Sequence, residues 1–259
     1  MPKFCANLTL LYNEHGFLDR FAAAAKAGVK GVEYLFPYEH DKARLADALG
    51  KHGLTQVLHN LPAGDWAKGE RGVACHPDRA GEFQDGVGLA IEYATALGCK
   101  QLNCLAGLTP ADVPDERQRT TFVANLKFAA LKLKEAGIKL LIEPINTRDI
   151  PGFYLTRSRQ ALEIIDEVGS DNLFLQYDIY HMQIMEGDLA RTIEANLARI
   201  PHMQLADNPG RNEPGTGEIN YRFLLGFLDA IGYDGWIGCE YKPKGKTVNG
   251  LGWRAAHGV

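Results

Sequence analysis

The chain has 259 residues, of which 46% are apolar and 23% are charged, a composition typical of a globular protein that buries a large core. Its formal net charge of −4 argues against a nucleic-acid partner, because such partners normally require a basic face. No apolar run approaches the roughly 18 residues of a transmembrane helix, so we expect no membrane partner either.

Strand-like and helix-like segments alternate along the whole chain. Eight short runs rich in Leu, Ile, Val and aromatic residues predict parallel strands that are buried on both faces. These runs are Phe4–Leu10, Gly31–Phe36, Thr55–Asn60, Gln101–Leu105, Lys139–Ile145, Leu173–Ile179, His202–Asp207 and Trp236–Tyr241. Helix-period stretches separate them and end at glycines, for example the stretch that starts at Phe17 and ends at Gly28. Eight such units predict one α/β domain over residues 1–259, a TIM (β/α)8 barrel.

A doubly wound open sheet is the rival fold. It would normally place a G-x-G-x-x-G turn after the first strand, whereas this chain continues with LYNEHGFLDR. The stretch Asn60–Asp78 after the third strand is the exception to short connections, and we expect it to form a lid or a binding loop.

The five cysteines indicate a reducing compartment. Their number is odd, there is no C-x-x-C pair, and Cys5, Cys104 and Cys239 fall inside predicted strands, where a thiol behaves as a small apolar group. The N-terminal segment also lacks the charged and apolar regions of a secretion signal. We therefore expect a cytoplasmic protein.

Every predicted strand has a polar residue in or just after its C-terminal half, and in a TIM barrel these ends converge on the mouth that holds the chemistry. Four polar residues, which lie in four separate predicted strands, offer only oxygen ligands: Glu143, Asp178, Gln204 and Glu240. Such ligands suit Mg²⁺ or Mn²⁺ better than zinc. A buried charge is costly unless something pairs it. On the pattern alone, a metal site and a network of strand-end caps explain these residues equally well.

Other polar residues predict substrate contacts. His59 lies near the C-terminal end of the third predicted strand, and His181 lies three residues beyond Asp178, near the same mouth. Arg71, Arg211 and Lys242 are candidates for binding an anionic group, although most such side chains are simply solvated. The chain has no G-x-S-x-G, P-loop or H-E-x-x-H motif, which disfavours the corresponding hydrolase, nucleotide-binding and zinc-protease chemistries.

The segments ANLTLLYNE, GVEYLFPY, LHNLPAGDWAKGERG, LLIEPIN, QYDIYHMQ, QLADNPGRNEPGTGEINY and GCEYKP resemble the hydroxypyruvate isomerase family over nearly the whole chain. That family belongs to the xylose-isomerase-like TIM barrels and includes 2-oxo-tetronate isomerases. The resemblance implies a divalent metal, Mg²⁺ or Mn²⁺, held by Glu143, Asp178, Gln204 and Glu240, with Glu143 and Glu240 as the catalytic proton carriers. Because Gln204 offers only a neutral amide oxygen, we expect this metal to be loosely bound or dispensable. Related ketose epimerases have histidine where Gln204 stands, and they hold substrate with residues that match His181 and, approximately, Arg211.

The expected reaction is interconversion of hydroxypyruvate and 2-hydroxy-3-oxopropanoate through a metal-stabilised cis-enediolate. A 2-oxo-tetronate isomerase is the alternative, and a ketose 3-epimerase is a weaker third. A nuclease of the endonuclease IV type would need more histidines and a basic groove. A non-catalytic sugar-acid binding protein would not need two proton carriers. The expected partner is thus a small hydroxy-oxo acid, and the sequence leaves a monomer and a homo-oligomer both open.

Overall fold

The computed structural model describes residues 3–257, in which eight short strands alternate with helices. The strands are β1 (Lys3–Asn7), β2 (Gly31–Glu33), β3 (Thr55–Asn60), β4 (Gln101–Cys104), β5 (Lys139–Ile142), β6 (Leu173–Asp178), β7 (His202–Leu205) and β8 (Trp236–Cys239). The α-helices are α1 (Phe17–Lys26), α2 (Lys42–His52), α3 (Ala80–Leu97), α4 (Asp115–Glu135), α5 (Ser158–Val168), α6 (Ile179–Met185), α7 (Leu189–Asn196) and α8 (Tyr221–Ala230). Short 3-10 helices lie at Trp66–Lys68, Pro77–Arg79, Leu197–Arg199 and Thr247–His257.

The strands follow one another in chain order around a closed barrel, which confirms the predicted TIM barrel and rules out the open sheet. The helices predicted from their apolar period are present, and Gly28, Gly137, Gly169 and Gly232 follow them with positive φ angles, as expected for glycines that end helices. Helix α5 begins at Ser158, and Arg157 occupies its N-cap position.

Seven of the eight predicted strands extend too far at their C-terminal ends; β3 alone matches its predicted bounds. The run predicted as Lys139–Ile145, for example, leaves the sheet after Ile142. The residues beyond the strand ends remain buried, as Leu8, Ile145 and Tyr241 illustrate. An apolar run indicates that residues are buried, but it does not show which of them pair with a neighbouring strand. The predicted strands therefore continue past the last backbone hydrogen bond of the sheet.

Two compact units can be distinguished in the chain. One comprises the chain up to Leu35, Ala43–Val57 and the chain from Tyr177 onward. The other comprises Phe36–Lys42 and Leu58–Gln176. We call them the first and the second unit. The single domain expected over residues 1–259 stays a prediction.

Strand register in each unit brings particular polar side chains onto one face. In the first unit, Asn7 of β1 pairs with Glu33 of β2, and Gln204 of β7 pairs with Gly238 of β8, two residues before Glu240. In the second unit, Asn60 of β3 pairs with Asn103 of β4. Paired residues of parallel strands point to the same side, and side chains two apart share a face.

Each unit has its own tightly packed apolar contacts. In the first unit, α1 buries Phe21, whose ring packs edge-on against Tyr34 at a centroid distance of 6.0 Å. In the second, α4 buries Phe122, whose ring packs edge-on against Tyr154 at 5.7 Å. Burying a large apolar side chain stabilises the fold by about 1.5–3 kcal/mol. Within residues 3–257, no helix has the length and apolar character needed to cross a bilayer.

Candidate active site

The ends of β1, β2, β7 and β8 carry a network of buried polar side chains. The Nδ2 group of Asn7 donates to Oε1 of Glu33 at 3.1 Å and to Oε1 of Glu240 at 2.9 Å. The Nε2 group of Gln204 donates to the same two oxygens, at 2.7 Å and 3.4 Å respectively. Two of the predicted metal ligands, Gln204 and Glu240, are therefore in direct contact.

Glu33 is the fully buried member of this network that accepts from both Asn7 and Gln204. Its Oε2 lies 2.8 Å from Nε2 of His202 and accepts a 3.4 Å hydrogen bond from the thiol of Cys5. Gly238 makes room for the carboxylate, because a Cβ at that position would collide with it. Burial alone would raise the pKa of Glu33, but His202 and the amide donors outweigh burial and hold this pKa below its usual range.

Asp178 ends β6 and caps α6. Its Oδ1 accepts the backbone N–H groups of Tyr180 at 2.8 Å and of His181 at 3.4 Å. Its buried Oδ2 accepts no hydrogen bond from the residues that the structure describes, and Nε2 of His181 lies 3.5 Å from it. Asp178, His181 and Glu240 each offer a ligand atom within 4.8 Å of the others. A divalent cation would satisfy the unused carboxylate oxygen, so the residues present fit a metal site.

The electrostatics of these residues favour a bound cation. Burial raises the pKa of Asp178 to about 6, although Arg211 opposes the shift. Burial likewise raises the pKa of Glu240 to about 8; Arg211 again opposes this, whereas Asp178 and Glu33 add to it. Burial and Arg211 lower the pKa of His181 well below its usual value, so its ring is neutral and keeps a lone pair.

His181 therefore lies among the candidate metal ligands, whereas the sequence pattern predicted a contact with substrate. Because His181 belongs to the first turn of α6 and not to a strand, the pattern of polar strand ends did not include it among the metal ligands. The signal that points to it is its spacing of three residues from Asp178, because side chains at positions i and i+3 of a helix are neighbours.

Arg211 contacts one of the predicted catalytic glutamates. Its Nη2 lies 2.5 Å from Oε2 of Glu240, and its guanidinium lies 5.1 Å from the centre of the Tyr180 ring. The backbone of Arg211 is left-handed, with φ of 55°. Lys242 is exposed, and its backbone N–H donates to the carbonyl of Arg211 at 2.7 Å. Of the two predicted anion contacts in the first unit, Arg211 is thus the one beside the buried carboxylates.

Asp207 organises the loop that carries Arg211. Its Oδ2 accepts the backbone N–H groups of residues 215, 216 and 217 at 2.8, 3.0 and 2.9 Å. Its Oδ1 accepts those of Asn208 and Ile219, both at 3.0 Å. The backbone N–H groups of this loop thus donate to a buried carboxylate instead of to a neighbouring strand. The sequence did not predict this role of Asp207.

In the second unit, Glu143 is buried and is held by Asn103. The Nδ2 group of Asn103 donates to Oε2 of Glu143 at 2.8 Å and to Oδ1 of Asn60 at 3.2 Å. His59 is fully buried next to Asn60, with its Nδ1 3.1 Å from the carbonyl oxygen of Asn60. Burial lowers the pKa of His59 to about 4, so the ring is neutral at physiological pH.

The long loop after β3 is ordered around Arg71. The guanidinium of Arg71 stacks 4.0 Å from the centre of the Trp66 ring and donates to the carbonyl oxygens of Trp66 at 3.1 Å and Glu70 at 2.6 Å. Trp66 in turn packs against Phe36, with ring centres 5.1 Å apart. Arg71 therefore helps to hold the loop, and its predicted contact with substrate stays a prediction.

Comparisons with known proteins agree on one family. The family model described as xylose isomerase-like TIM barrel matches residues 21–257. The chain is 55% identical to hydroxypyruvate isomerase of Escherichia coli, covering 98% of both chains, and 51% identical to 2-oxo-tetronate isomerase of Cupriavidus necator, covering 98% of this chain and 97% of that one. A crystal structure titled AP endonuclease, family 2, from Brucella melitensis superposes with a TM-score of 0.97 at 46% identity, covering 99% of both chains.

Proposed function

The chain belongs to the xylose isomerase-like TIM barrel family and is an isomerase, and from that premise we propose that it interconverts hydroxypyruvate and 2-hydroxy-3-oxopropanoate. The 55% identity to a hydroxypyruvate isomerase over nearly the full length supports this substrate. The observation that carries the chemistry is a matched pair of buried glutamates, each oriented by a strand-end asparagine. Asn103 donates to Glu143 at 2.8 Å, and Asn7 donates to Glu240 at 2.9 Å.

The reaction moves one proton between adjacent carbon atoms. In hydroxypyruvate, a base takes a C–H proton from the hydroxymethyl carbon and leaves an enediolate. A proton then returns to the neighbouring carbon that bore the carbonyl oxygen. The hydroxyl proton passes from the oxygen of the hydroxymethyl carbon to the former carbonyl oxygen, so that the carbonyl group now lies on the former hydroxymethyl carbon. We propose that Glu143 and Glu240 are the base and the acid, with their roles exchanged in the reverse direction. With its pKa raised to about 8, Glu240 holds a proton at neutral pH and can still release it, as a proton carrier requires.

We further propose that Glu143, Asp178, Gln204 and Glu240 hold a divalent cation, Mg²⁺ or Mn²⁺. When bound, such a cation supplies a Lewis acid that stabilises negative charge on the reacting oxygens. The unused Oδ2 of Asp178 and the raised pKa values of Asp178 and Glu240 support this proposal. The chain's own contribution is to keep the two proton carriers in fixed orientations, since each accepts an amide hydrogen bond.

The carboxylate of the substrate requires donors, for which we propose His59, Arg71, His181, Arg211 and Lys242. Arg211 is the strongest of these proposals, because its guanidinium already lies beside Glu240 and presents several N–H groups in one plane. We also propose that the loop at Asn60–Asp78 excludes water from the enediolate, which would otherwise be lost to side reactions. The five buried cysteines are consistent with the cytoplasmic location that we propose.

The second candidate function is isomerisation of a 2-oxo-tetronate, which the 51% identity to such an enzyme favours. It requires the same proton transfer on a substrate with one more carbon. Both candidates use the same proposed residues, so only the relative rates on the two substrates separate them.

The test is isomerisation of hydroxypyruvate against a 2-oxo-tetronate, each measured with EDTA and then with added Mg²⁺ or Mn²⁺. We expect faster turnover of hydroxypyruvate, loss of turnover with EDTA and recovery with metal. Faster turnover of the 2-oxo-tetronate, the four-carbon acid, would favour the second candidate function. Full turnover after exhaustive EDTA treatment would refute the role of the metal. Tight binding of either acid without turnover would instead indicate a sugar-acid binding protein.

A further inference from the structure

Gln204 differs from the other proposed ligands because only one end of its side chain can bind a cation. A carboxylate offers two equivalent oxygens, whereas an amide has one oxygen acceptor and one NH₂ donor group. If the amide turned by 180°, it would present N–H groups to the cation and repel it. The proposed metal site, on which this inference rests, therefore requires a group that fixes the orientation of the amide.

Glu33 has the chemistry and the position to fix it. Its carboxylate is surrounded by donors: the amides of Asn7 and Gln204 on Oε1, and His202 and Cys5 on Oε2. A carboxylate in such a setting acts only as an acceptor, so the group 2.7 Å away on Gln204 must be the NH₂ group. The second N–H of that group faces Oε1 of Glu240 at 3.4 Å. The carbonyl oxygen of Gln204 is consequently directed away from Glu33.

The same carboxylate also sets the position of Glu240 through Asn7. The NH₂ group of Asn7 bridges Oε1 of Glu33 and Oε1 of Glu240, at 3.1 and 2.9 Å. Asn7 is fixed at its other end as well, because its Oδ1 accepts the backbone N–H of Thr9 at 3.0 Å. Glu33 thus orients one proposed ligand directly and a second one through an intermediate side chain.

Burying the carboxylate of Glu33 costs free energy, which indicates that the side chain has a specific role. Glu33 has no solvent exposure, and β8 has Gly238 at the position where a Cβ would collide with the Glu33 carboxylate. Burying a carboxylate is unfavourable unless it is fully hydrogen-bonded. Within the described residues, Glu33 meets this condition, because Asn7 of β1 and both His202 and Gln204 of β7 donate to it.

We propose that Glu33 is a positioning residue that selects the oxygen-donating orientation of the Gln204 amide, and that it thereby enables the site to bind a hard divalent cation. The side chain does not touch substrate in this proposal. It acts on the cation through Gln204 and Asn7. Loss of such an outer partner typically weakens metal affinity by about 10–100-fold.

The experiment is calorimetric titration of Mn²⁺ into the wild-type protein and into the Glu33→Gln and Cys5→Ala variants. We expect E33Q to bind Mn²⁺ about 10–100-fold more weakly, because its amide can face Gln204 with either end. C5A is the matched control: it removes a neighbour of the same carboxylate that orients no amide, and we expect its affinity to stay within about threefold of wild type.

An exchange of the two groups tests orientation separately from packing. In the double variant E33Q/Q204E, the carboxylate and the amide change places, so a donor and an acceptor again face each other across the same 2.7 Å contact. We expect it to bind Mn²⁺ more tightly than E33Q or Q204E alone, because Q204E sets two carboxylates against each other. If E33Q does not fold, E33D keeps the negative charge but shortens the side chain, which withdraws the carboxylate from Gln204, and the same loss of affinity is expected.

The outcomes separate this inference from the proposed function. If E33Q binds Mn²⁺ as wild type does, Glu33 does not orient the ligand and the inference is overturned, while the proposed isomerase activity stands. A double variant no tighter than E33Q overturns it as well. If the wild-type protein isomerises hydroxypyruvate but binds no Mn²⁺, the proposed cation site and this inference are both wrong. The proposed role of Glu143 and Glu240 as proton carriers would then still stand.

Discussion

The loop anchored by Asp207 provides a test of how the site is supported. Replacing Asp207 by Asn leaves the side chain's shape but turns one of its two acceptor oxygens into a donor. The amide would best face the exposed residues 215–217, where water can replace the three lost hydrogen bonds, and keep its oxygen on Asn208 and Ile219. At about 1 kcal/mol for each replaced bond, we expect D207N to lower the free energy of unfolding by about 3 kcal/mol.

The same substitution should impair catalysis, because Arg211 lies on this loop and contacts Glu240. We expect kcat/KM to fall by about tenfold to a hundredfold, as small misplacements of binding groups do in other enzymes. Urea unfolding followed by circular dichroism measures the first effect, and steady-state isomerisation measures the second. Asp234→Asn, at an exposed position, is the control with the same change of charge. The reasoning is refuted if D207N and D234N unfold at the same urea concentration.

Three further predictions follow from the geometry of the buried carboxylates. Glu143→Gln and Glu240→Gln should each lower kcat by about 10²–10⁴-fold with an unchanged circular dichroism spectrum, and near wild-type turnover of either would exclude it as a proton carrier. Gly238→Ala should destabilise the fold by about 1–3 kcal/mol in urea, because the added methyl collides with Glu33, whereas Gly226→Ala, which meets no neighbour, should not. Calorimetry should show that the affinity for Mn²⁺ rises about tenfold per pH unit between pH 6 and 8. The reason is that Glu240, whose pKa is about 8, must lose its proton before the cation binds. An affinity independent of pH would contradict this.

The barrel and the convergence of its strand ends could be predicted from the sequence. Short apolar runs alternating with helix-period stretches indicate parallel strands, and the topology then places their C-terminal ends on one side. Asp178, Gln204 and Glu240 are accordingly buried in the first unit, with Glu240 in contact with Gln204 and near Asp178. Their role as metal ligands stays a prediction.

The support beneath these residues could not be predicted in the same way. Whether Glu33 is a strand cap or part of the site depends on its register with Asn7 and on the space left by Gly238, and neither is visible in a single sequence. The contact between Arg211 and Glu240 depends on a left-handed backbone at a residue other than glycine, which L side chains rarely adopt. Such features arise from tertiary packing, and local sequence patterns do not encode them.

The balance of charge at the site explains why protons and a cation should compete for it. Glu33, Asp178 and Glu240 are buried carboxylates within one network of contacts and charges, and Arg211 is the cation that opposes their repulsion. A carboxyl pKa that rises from about 4.3 in the unfolded chain to about 8 in the folded protein means that the folded state binds the extra proton between those values. Above about pH 6.5 the buried His59 and His181, whose pKa values are lowered by burial, no longer oppose this effect. Glu240 should therefore make the metal-free protein less stable as pH rises from about 6.5 towards 8, and bound Mn²⁺ should reverse that trend by replacing the proton. Glu33 has the opposite effect on stability, and it does so at lower pH: because its pKa lies below the ordinary value, its contribution to stability increases as pH rises.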